Sequence, residues 1–151
     1  MSLATANNLL TELGVRLGVP TLAFDEKGYC TIGLDDHIVN FECLADGGTL
    51  ALYVWLGVVP EEKRAEAALQ MADANYLLQQ TQGATLGLNR HEGDAVLAVQ
   101  ISTADLTVAQ FEQVVENIVN LAAAWKHNLF GGGDPALNEA SAPASAGDLR
   151  V

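Results

Sequence analysis

Basic residues are scarce in this sequence. Seven lysines and arginines stand against nineteen aspartates and glutamates in 151 residues, which gives a formal net charge of −12. Nucleic acids and anionic membrane surfaces are bound by clustered Lys and Arg, and the sequence has no such cluster. The charge balance therefore excludes both as expected partners. It favours a dispersed protein that offers apolar surface to a basic or apolar partner.

Long apolar runs are also missing. No stretch reaches the roughly 18 apolar residues of a membrane-spanning helix, and the N-terminus lacks the basic and apolar regions of a signal peptide. The cytoplasm is therefore the expected compartment. Half of the residues are nevertheless hydrophobic, so the chain should fold, and its length predicts one domain with a real core.

The residues that usually carry chemistry are few and scattered. Cys30 and Cys43 have no metal-site spacing and are expected to remain thiols on the core face of strands. His37 follows Asp35-Asp36, but such a sequence is more typical of a solvated turn than of a metal site. No phosphate-binding loop, Walker pattern or nucleophile elbow occurs. These absences predict a protein without catalytic activity, metal or other cofactor.

Apolar periodicity predicts three helices. The first covers residues 2–17. The second runs from Pro60, a favourable first helical position, to Gln80, shortly before Gly83. The third begins at Thr107, where Gln110 completes a capping box, and ends at Gly131–Gly133. Residues 131–151 are rich in Gly, Ala, Ser and Pro and are predicted to form a flexible tail after a single domain at 1–130.

Alternating apolar residues predict five strands, three between the first two helices and two between the last two. With short turns, Ile32 lies opposite Val39, and Phe41 lies opposite both Cys30 and Leu52. All core sets then point the same way, which supports this register. The fold class is therefore α+β, with an antiparallel sheet packed against three helices.

The opposite face of the predicted sheet is unusually apolar. In the same register, Ile38 lies opposite Trp55, and Asn40 lies opposite Tyr53. Exposed aromatic patches usually indicate an interaction site. Two explanations remain open: the first helix or a second copy of the chain covers these side chains, or they form a surface that binds a partner.

The second helix has two apolar stripes rather than one. The first consists of Ala65, Ala68, Leu69, Ala72 and Tyr76. The second consists of Ala67, Met71, Ala74 and Leu78. A helix that packs on one sheet needs one stripe, so the second stripe predicts a contact with a second copy of the chain. The alternative is a helix enclosed within the core of one subunit.

Motifs along residues 5–130 resemble those of a known family. They are Leu13-Gly14 with Leu17, Leu22–Glu26 with Gly28 and Cys30, Leu34–Asp36, Leu50–Leu56 with Gly57 and Pro60, Ala74-Asn75, Gly83–Leu88, Leu106, Phe111 and Ala124-Trp125. In their order and spacing they resemble the class I type III secretion chaperones of the Tir chaperone (CesT-like) family.

The resemblance implies a homodimer, with the second helix near the two-fold axis, that binds the N-terminal segment of a secreted effector protein. Such segments bind in extended form, adding a strand to a sheet edge and placing apolar side chains in surface patches. The expected partner-binding residues are Ile38, Tyr53, Trp55, Leu9 and Leu13. Ala67, Met71, Ala74 and Leu78 are the expected dimer contacts.

Two alternatives to an effector chaperone stay open. Some members of this family are regulators that exchange between a secreted partner and a transcriptional antiactivator, and no residue separates that use from effector binding. The other alternative is an unrelated dimeric binding or scaffold protein.

Overall fold

In a computed structural model, the structure describes residues 3–19, 21–45 and 47–131. These residues form three α-helices and five strands in the predicted order. The helices are α1 (Leu3–Leu17), α2 (Arg64–Asn75) and α3 (Val108–Phe130). The strands are β1 (Tyr29–Leu34), β2 (His37–Cys43), β3 (Thr49–Val58), β4 (Thr85–Leu88) and β5 (Asp94–Ser102). The α+β prediction is confirmed, whereas the tail predicted beyond residue 131 lies outside the described residues.

The strands form one antiparallel sheet in the order β1-β2-β3-β5-β4. The predicted register is confirmed: Ile32 pairs with Val39, and Phe41 pairs with Cys30 in β1 and Leu52 in β3. A shift by one residue would move every apolar side chain of a strand to the other face, so the apolar pattern selects one register. β1 and β4 are the two edges of the sheet.

The hydrophobic core lies between one face of the sheet and the helices. At its centre the rings of Phe41 and Phe111 meet edge to face, with their centroids 5.9 Å apart and their planes at 80°. All three helices contribute buried side chains to this cluster. They include Leu10 and Leu13 from α1, Ala67, Met71 and Ala74 from α2, and Val115 and Ile118 from α3.

Both ends of α3 are as predicted. The Gln110 amide donates to the Thr107 hydroxyl at 3.2 Å, and the Thr107 amide donates to the Gln110 side chain at 2.9 Å, so the capping box is complete. Gly131 ends the helix in the left-handed conformation. An ion pair of 2.7 Å between Arg16 and Glu112 links α3 to α1.

The second helix is shorter than the predicted Pro60–Gln80. Its α-helical part, α2, is flanked by single 3₁₀ turns at Glu61–Lys63 and Tyr76–Leu78. Leu77 and Leu78 have φ values of +55° and +56°, which an α-helix cannot contain. The helix ends early because the side chain of its last residue, Asn75, bonds to the backbone of β4, and the chain must then turn into that strand.

Arg64, the first residue of α2, holds the turn between β4 and β5. Its guanidinium donates to four backbone carbonyls, those of Val59 (3.0 Å), Arg90 (3.2 Å), His91 (2.9 Å) and Glu92 (3.1 Å). Gly93 lies directly against this guanidinium, so the start of α2 and the β4–β5 turn form one unit.

Replacing Gly93 by alanine is expected to lower the free energy of unfolding by about 2–3 kcal/mol, because φ is +83° and a Cβ would clash with the Val59 carbonyl and lie 2.7 Å from Arg64 Nε. Gly83→Ala is the matched control, since φ is +89° there but no atom lies within 4 Å of the added Cβ. That control should lose only about 1 kcal/mol. Urea denaturation measures both values, and equal losses would contradict the role assigned to the Gly93 contact.

Candidate partner-binding surfaces

The outer edge of β1 presents free backbone groups. In an antiparallel ladder, successive residues point their N–H and C=O groups alternately toward and away from the neighbouring strand. The Tyr29 carbonyl accepts from the Asp25 amide at 2.8 Å, outside the sheet ladder, so Tyr29 points away from β2. The alternation then directs the backbone groups of Thr31 and Gly33 outward as well. No backbone group within the described residues pairs with them.

The surface of the sheet is open at Gly33, because the Cβ of a strand residue projects from the face of the sheet. A Cβ built on Gly33 would have no atom within 4 Å. Gly33 pairs with Ile38, a partly exposed residue of β2. Since Gly33 has no side chain, a strand lying along this edge has direct access to Ile38.

We call the sheet surface on the side away from the core the outer face. Its residues alternate with core residues along β2, β3 and β5. They are Ile38, Asn40, Glu42, Ala51, Tyr53, Trp55, Val96 and Ala98. None of them belongs to the hydrophobic cluster that the three helices share. Asn40, Glu42, Ala51 and Trp55 are only 1–3% exposed, whereas Ile38, Tyr53, Val96 and Ala98 are partly exposed and form the accessible part of the outer face.

Hydrogen bonds to carboxylates hold the aromatic residues of the outer face. The Tyr53 hydroxyl donates to Glu42 at 2.7 Å, and the Trp55 indole donates to Asp94 at 3.1 Å. Burial raises the pKa of the Tyr53 phenol, so it stays protonated and remains a donor. Because each aromatic ring is anchored at its polar end, a partner would meet a preorganised surface.

A polar pair continues this network toward the β1 edge. The Thr31 hydroxyl donates to the Asn40 side-chain oxygen at 2.7 Å. Asn40 is buried, and its amide nitrogen has no hydrogen-bond partner in the described chain. Asn40 pairs with Tyr53, as predicted, so the polar row runs from the edge strand to the centre of the sheet.

The five predicted partner-binding residues lie in different environments. Ile38, Tyr53 and Leu9 are partly exposed and remain predicted contacts. Leu13 is fully buried in the core and cannot be a surface contact, which corrects that prediction. Trp55 is 2% exposed, so it supports the outer face more than it offers surface. The apolar period of α1 did not show that Leu13 is buried while Leu9 is partly exposed, since the two residues lie one turn apart on the same stripe.

The two stripes of α2 have the opposite roles to those predicted. Ala67, Met71 and Ala74 pack into the core of their own subunit, with Met71 only 3% exposed. They are therefore not available to a second copy, and their prediction as dimer contacts is wrong. Leu78 is 44% exposed and remains a candidate. The stripes have similar apolar character, so the sequence did not determine which one faces the sheet.

The exposed stripe of α2 continues into a turn that carries large apolar side chains. Leu69 is 74% exposed and Tyr76 is 72% exposed, and Leu77 and Leu78 follow. The remaining residues of this stripe, Ala65, Ala68 and Ala72, are exposed too. Exposed apolar clusters of this kind mark interaction sites. Their backbone geometry could not be foreseen, because leucine rarely adopts a positive φ.

Near the β1–β2 turn, Lys126 of α3 donates to the Asp36 carbonyl oxygen at 3.0 Å. Burial lowers the pKa of Lys126, and burial together with the nearby Lys126 charge lowers the pKa of His37. Both shifts reflect packing.

Among the described residues, no group of three potential ligands is placed to hold a metal ion, and no helix is long and apolar enough to cross a membrane.

Comparison with protein families identifies this architecture. The model of the Tir chaperone protein (CesT) family matches residues 8–126. The chain belongs to the CesT family. The resemblance predicted from the motifs is thereby confirmed, and the alternative of an unrelated scaffold protein is excluded. Membership also places the chain in a family of chaperones.

Among individual proteins, this CesT-family chain is similar to the transcriptional anti-antiactivator ExsC of Pseudomonas aeruginosa. The two are 26% identical over 136 residues, which cover 82% of this chain and 84% of ExsC. It is also similar to a chain in the crystal structure of the ExsC–ExsE complex. The TM-score is 0.72 and the identity 29%, over 85% of this chain and 97% of the other.

A second solved structure shows the same fold at lower identity. A chain of the HopA1–SchA chaperone–effector complex matches with a TM-score of 0.65 and 22% identity, over 83% of this CesT-family chain and 95% of the other. This likeness supports the fold alone. A chain of that complex therefore has a fold similar to this one.

Proposed function

We propose that this CesT-family chain is a cytoplasmic chaperone that binds the N-terminal segment of a secreted effector protein in extended form. The observation that carries the proposal is the open edge of β1. Thr31 and Gly33 each present an outward N–H and C=O, which is the pattern an added antiparallel strand requires. Main-chain hydrogen bonds would then bind many sequences, as a chaperone needs to do.

Specificity would come from the outer face beside that edge. Alternate side chains of an added strand project to the same side as Ile38 and Tyr53. Ile38 offers apolar area next to Gly33, and the fixed Tyr53 ring offers a rigid aromatic contact. Aromatic anchors of this kind commonly dominate interface energies. The acidic chain favours basic segments over acidic ones.

The proposed active form is a homodimer, with α2 at the contact between the two copies. Three alanines of its exposed stripe would let two helices approach closely, and Leu69 and Tyr76 would supply most of the apolar area. Burying a leucine contributes about 1.5–3 kcal/mol, and a two-fold axis uses every contact twice. Burying the exposed stripe against a second copy would therefore be more favourable than leaving it in contact with water.

A regulatory use is the second candidate function. The observation in its favour is the similarity to ExsC, which is described as a transcriptional anti-antiactivator. In this use the same surface would exchange between a secreted partner and an antiactivator. Neither use requires catalysis or a cofactor, and we propose that the chain has no catalytic activity. The family match supports this, because CesT is a family of chaperones.

Co-purification tests which function applies. The tagged full chain is captured from its native cytoplasm, and bound proteins are identified by mass spectrometry with limited proteolysis. An effector protected in its N-terminal segment supports the chaperone function. A transcriptional antiactivator in its place supports the regulatory function. Turnover of a small molecule by the purified chain would contradict both.

Gly33→Pro is expected to weaken capture of the bound segment at least about tenfold, equivalent to about 1.4 kcal/mol. Proline removes the outward N–H and fills the space where an added strand would lie, yet an edge strand tolerates it. Gly33→Ala keeps the N–H and adds a methyl group in open space, so it is the matched control. Titration calorimetry with the captured segment gives both affinities. Equal affinity for the two variants would show that the segment does not pair with β1.

A further inference from the structure

The outer edge of β4 is closed by one side chain. The Leu86 amide donates to the side-chain oxygen of Asn75 at 2.9 Å, and the Asn75 side-chain nitrogen donates to the Leu86 carbonyl at 3.0 Å. Leu86 therefore points both backbone groups away from β5, toward α2. The amide of Asn75 occupies the place that the peptide group of a sixth strand would take.

The rest of this edge is nearly closed as well. The outward residue before Leu86 is Ala84, and its amide donates to the Thr81 carbonyl at 2.9 Å. The outward residue after Leu86 is Leu88, where β4 ends. β1, by contrast, keeps two successive outward residues, Thr31 and Gly33, without backbone partners in the described chain. The two edges of one sheet thus differ in their ability to accept a strand.

We infer that Asn75 is the residue that determines which edge accepts a partner strand, because it occupies the backbone groups of β4 and leaves β1 as the accepting edge. Exposed sheet edges pair with other chains unless they are covered or blocked. The backbone groups of α2 are used within the helix, so it is the side chain of Asn75 that blocks β4. The nature of the accepted strand rests on the proposed function. The closing of β4 does not rest on it.

The inference has a consequence for self-association. A subunit with one open edge can pair only with the same edge of another subunit, and that pairing leaves neither of the two with an open edge. A chain with two open edges can pair β1 of one copy with β4 of the next, and that contact continues without end. By occupying Leu86, Asn75 would prevent growth through the β1–β4 contact.

Asn75→Ala in the full chain tests the inference without any cargo. Hydrogen exchange resolved by NMR is expected to show a slowly exchanging Leu86 amide in the unmodified protein and at least about tenfold faster exchange in the variant. The variant is expected to form larger assemblies as protein concentration rises, seen as an increasing sedimentation coefficient. The sedimentation coefficient of the unmodified chain should stay constant. Adding Gly33→Pro should abolish this growth, and adding Gly33→Ala should not.

Asp73→Ala, an exposed change on the same helix, is the matched control and should alter neither measurement. If Asn75→Ala exposes the Leu86 amide but sediments like the unmodified protein, the inference is overturned. It is also overturned if Leu86 exchange does not change or if Gly33→Pro leaves the growth intact. Should Asn75→Ala fail to fold, Asn75→Leu replaces it, since leucine has a similar volume and makes neither hydrogen bond to Leu86. Failure to capture an effector would bear on the proposed function alone.

Discussion

Met71→Glu is expected to unfold the subunit, whereas Leu69→Glu is expected to leave a folded chain that no longer dimerises. Met71 is 3% exposed and packs in the core. The change removes about 1.5–3 kcal/mol of apolar burial and leaves a carboxylate without a partner, which costs several kcal/mol more. The sum approaches the stability of a typical domain, about 5–15 kcal/mol.

Leu69 lies on the opposite side of the same helix and is 74% exposed. A substitution at such a site changes the stability of the subunit by only about 0.5 kcal/mol. In the proposed dimer, however, it would place charges from both copies at the two-fold axis. We expect the dissociation constant to rise about 100-fold or more, equivalent to about 2.8 kcal/mol.

Circular dichroism melting curves and sedimentation velocity measure both variants. The expected pattern is loss of the folded signal for Met71→Glu, and a normal signal with half the molecular mass for Leu69→Glu. A folded Met71→Glu monomer would instead support the prediction made from the sequence, in which Met71 belongs to the dimer contact. A folded Leu69→Glu dimer would remove the exposed stripe of α2 from the interface.

Trp55→Ala is expected to reduce the free energy of unfolding by about 3–5 kcal/mol. Trp55 is 2% exposed, pairs with Val96, and donates its indole N–H to Asp94. The variant leaves a cavity in the outer face and an unpaired carboxylate at Asp94. Two explanations of this residue were open in the sequence, permanent burial and partner contact, and the structure favours burial.

Trp55→Phe is the matched control, because it keeps an aromatic ring, loses the bond to Asp94 and leaves a smaller cavity than alanine does. It should cost about 1–2 kcal/mol. Chemical denaturation gives both values, and capture of a bound segment is measured on the same samples below their unfolding transition. Near-normal stability of Trp55→Ala combined with weaker capture would mean that Trp55 leaves the sheet to contact the partner.

The sheet could be predicted from the sequence because local rules determine it. The alternation in β1, β2 and β3 has a period of two, and one register alone places Ile32, Val39, Phe41 and Leu52 on one face. The ends of α3 could be predicted for the same reason. Thr107 and Gln110 cap each other within one turn, and Gly131 supplies the left-handed residue that ends the helix.

The roles of the individual surfaces could not be predicted in this way. Two alanine-rich stripes of α2 are nearly equivalent in the sequence, and packing against the sheet decided that Met71 is buried and Leu69 is exposed. Leu9 and Leu13 share a stripe of α1, yet one is partly exposed and the other fully buried. These differences come from how close each side chain lies to the sheet and to the other helices. The apolar period of a helix carries no information about that distance.

The sequence by itself determined the α+β class, the strand register, the limits of α3 and the resemblance to the CesT family. Each depends on neighbours in the chain or on a repeating pattern. The tertiary structure alone decided where α2 ends, which of its faces is free, and which sheet edge is open. These depend on contacts such as Asn75 with Leu86, in which residues eleven positions apart meet. Two hydrogen bonds of that kind override local helix propensity, because they satisfy backbone groups that would otherwise lack partners.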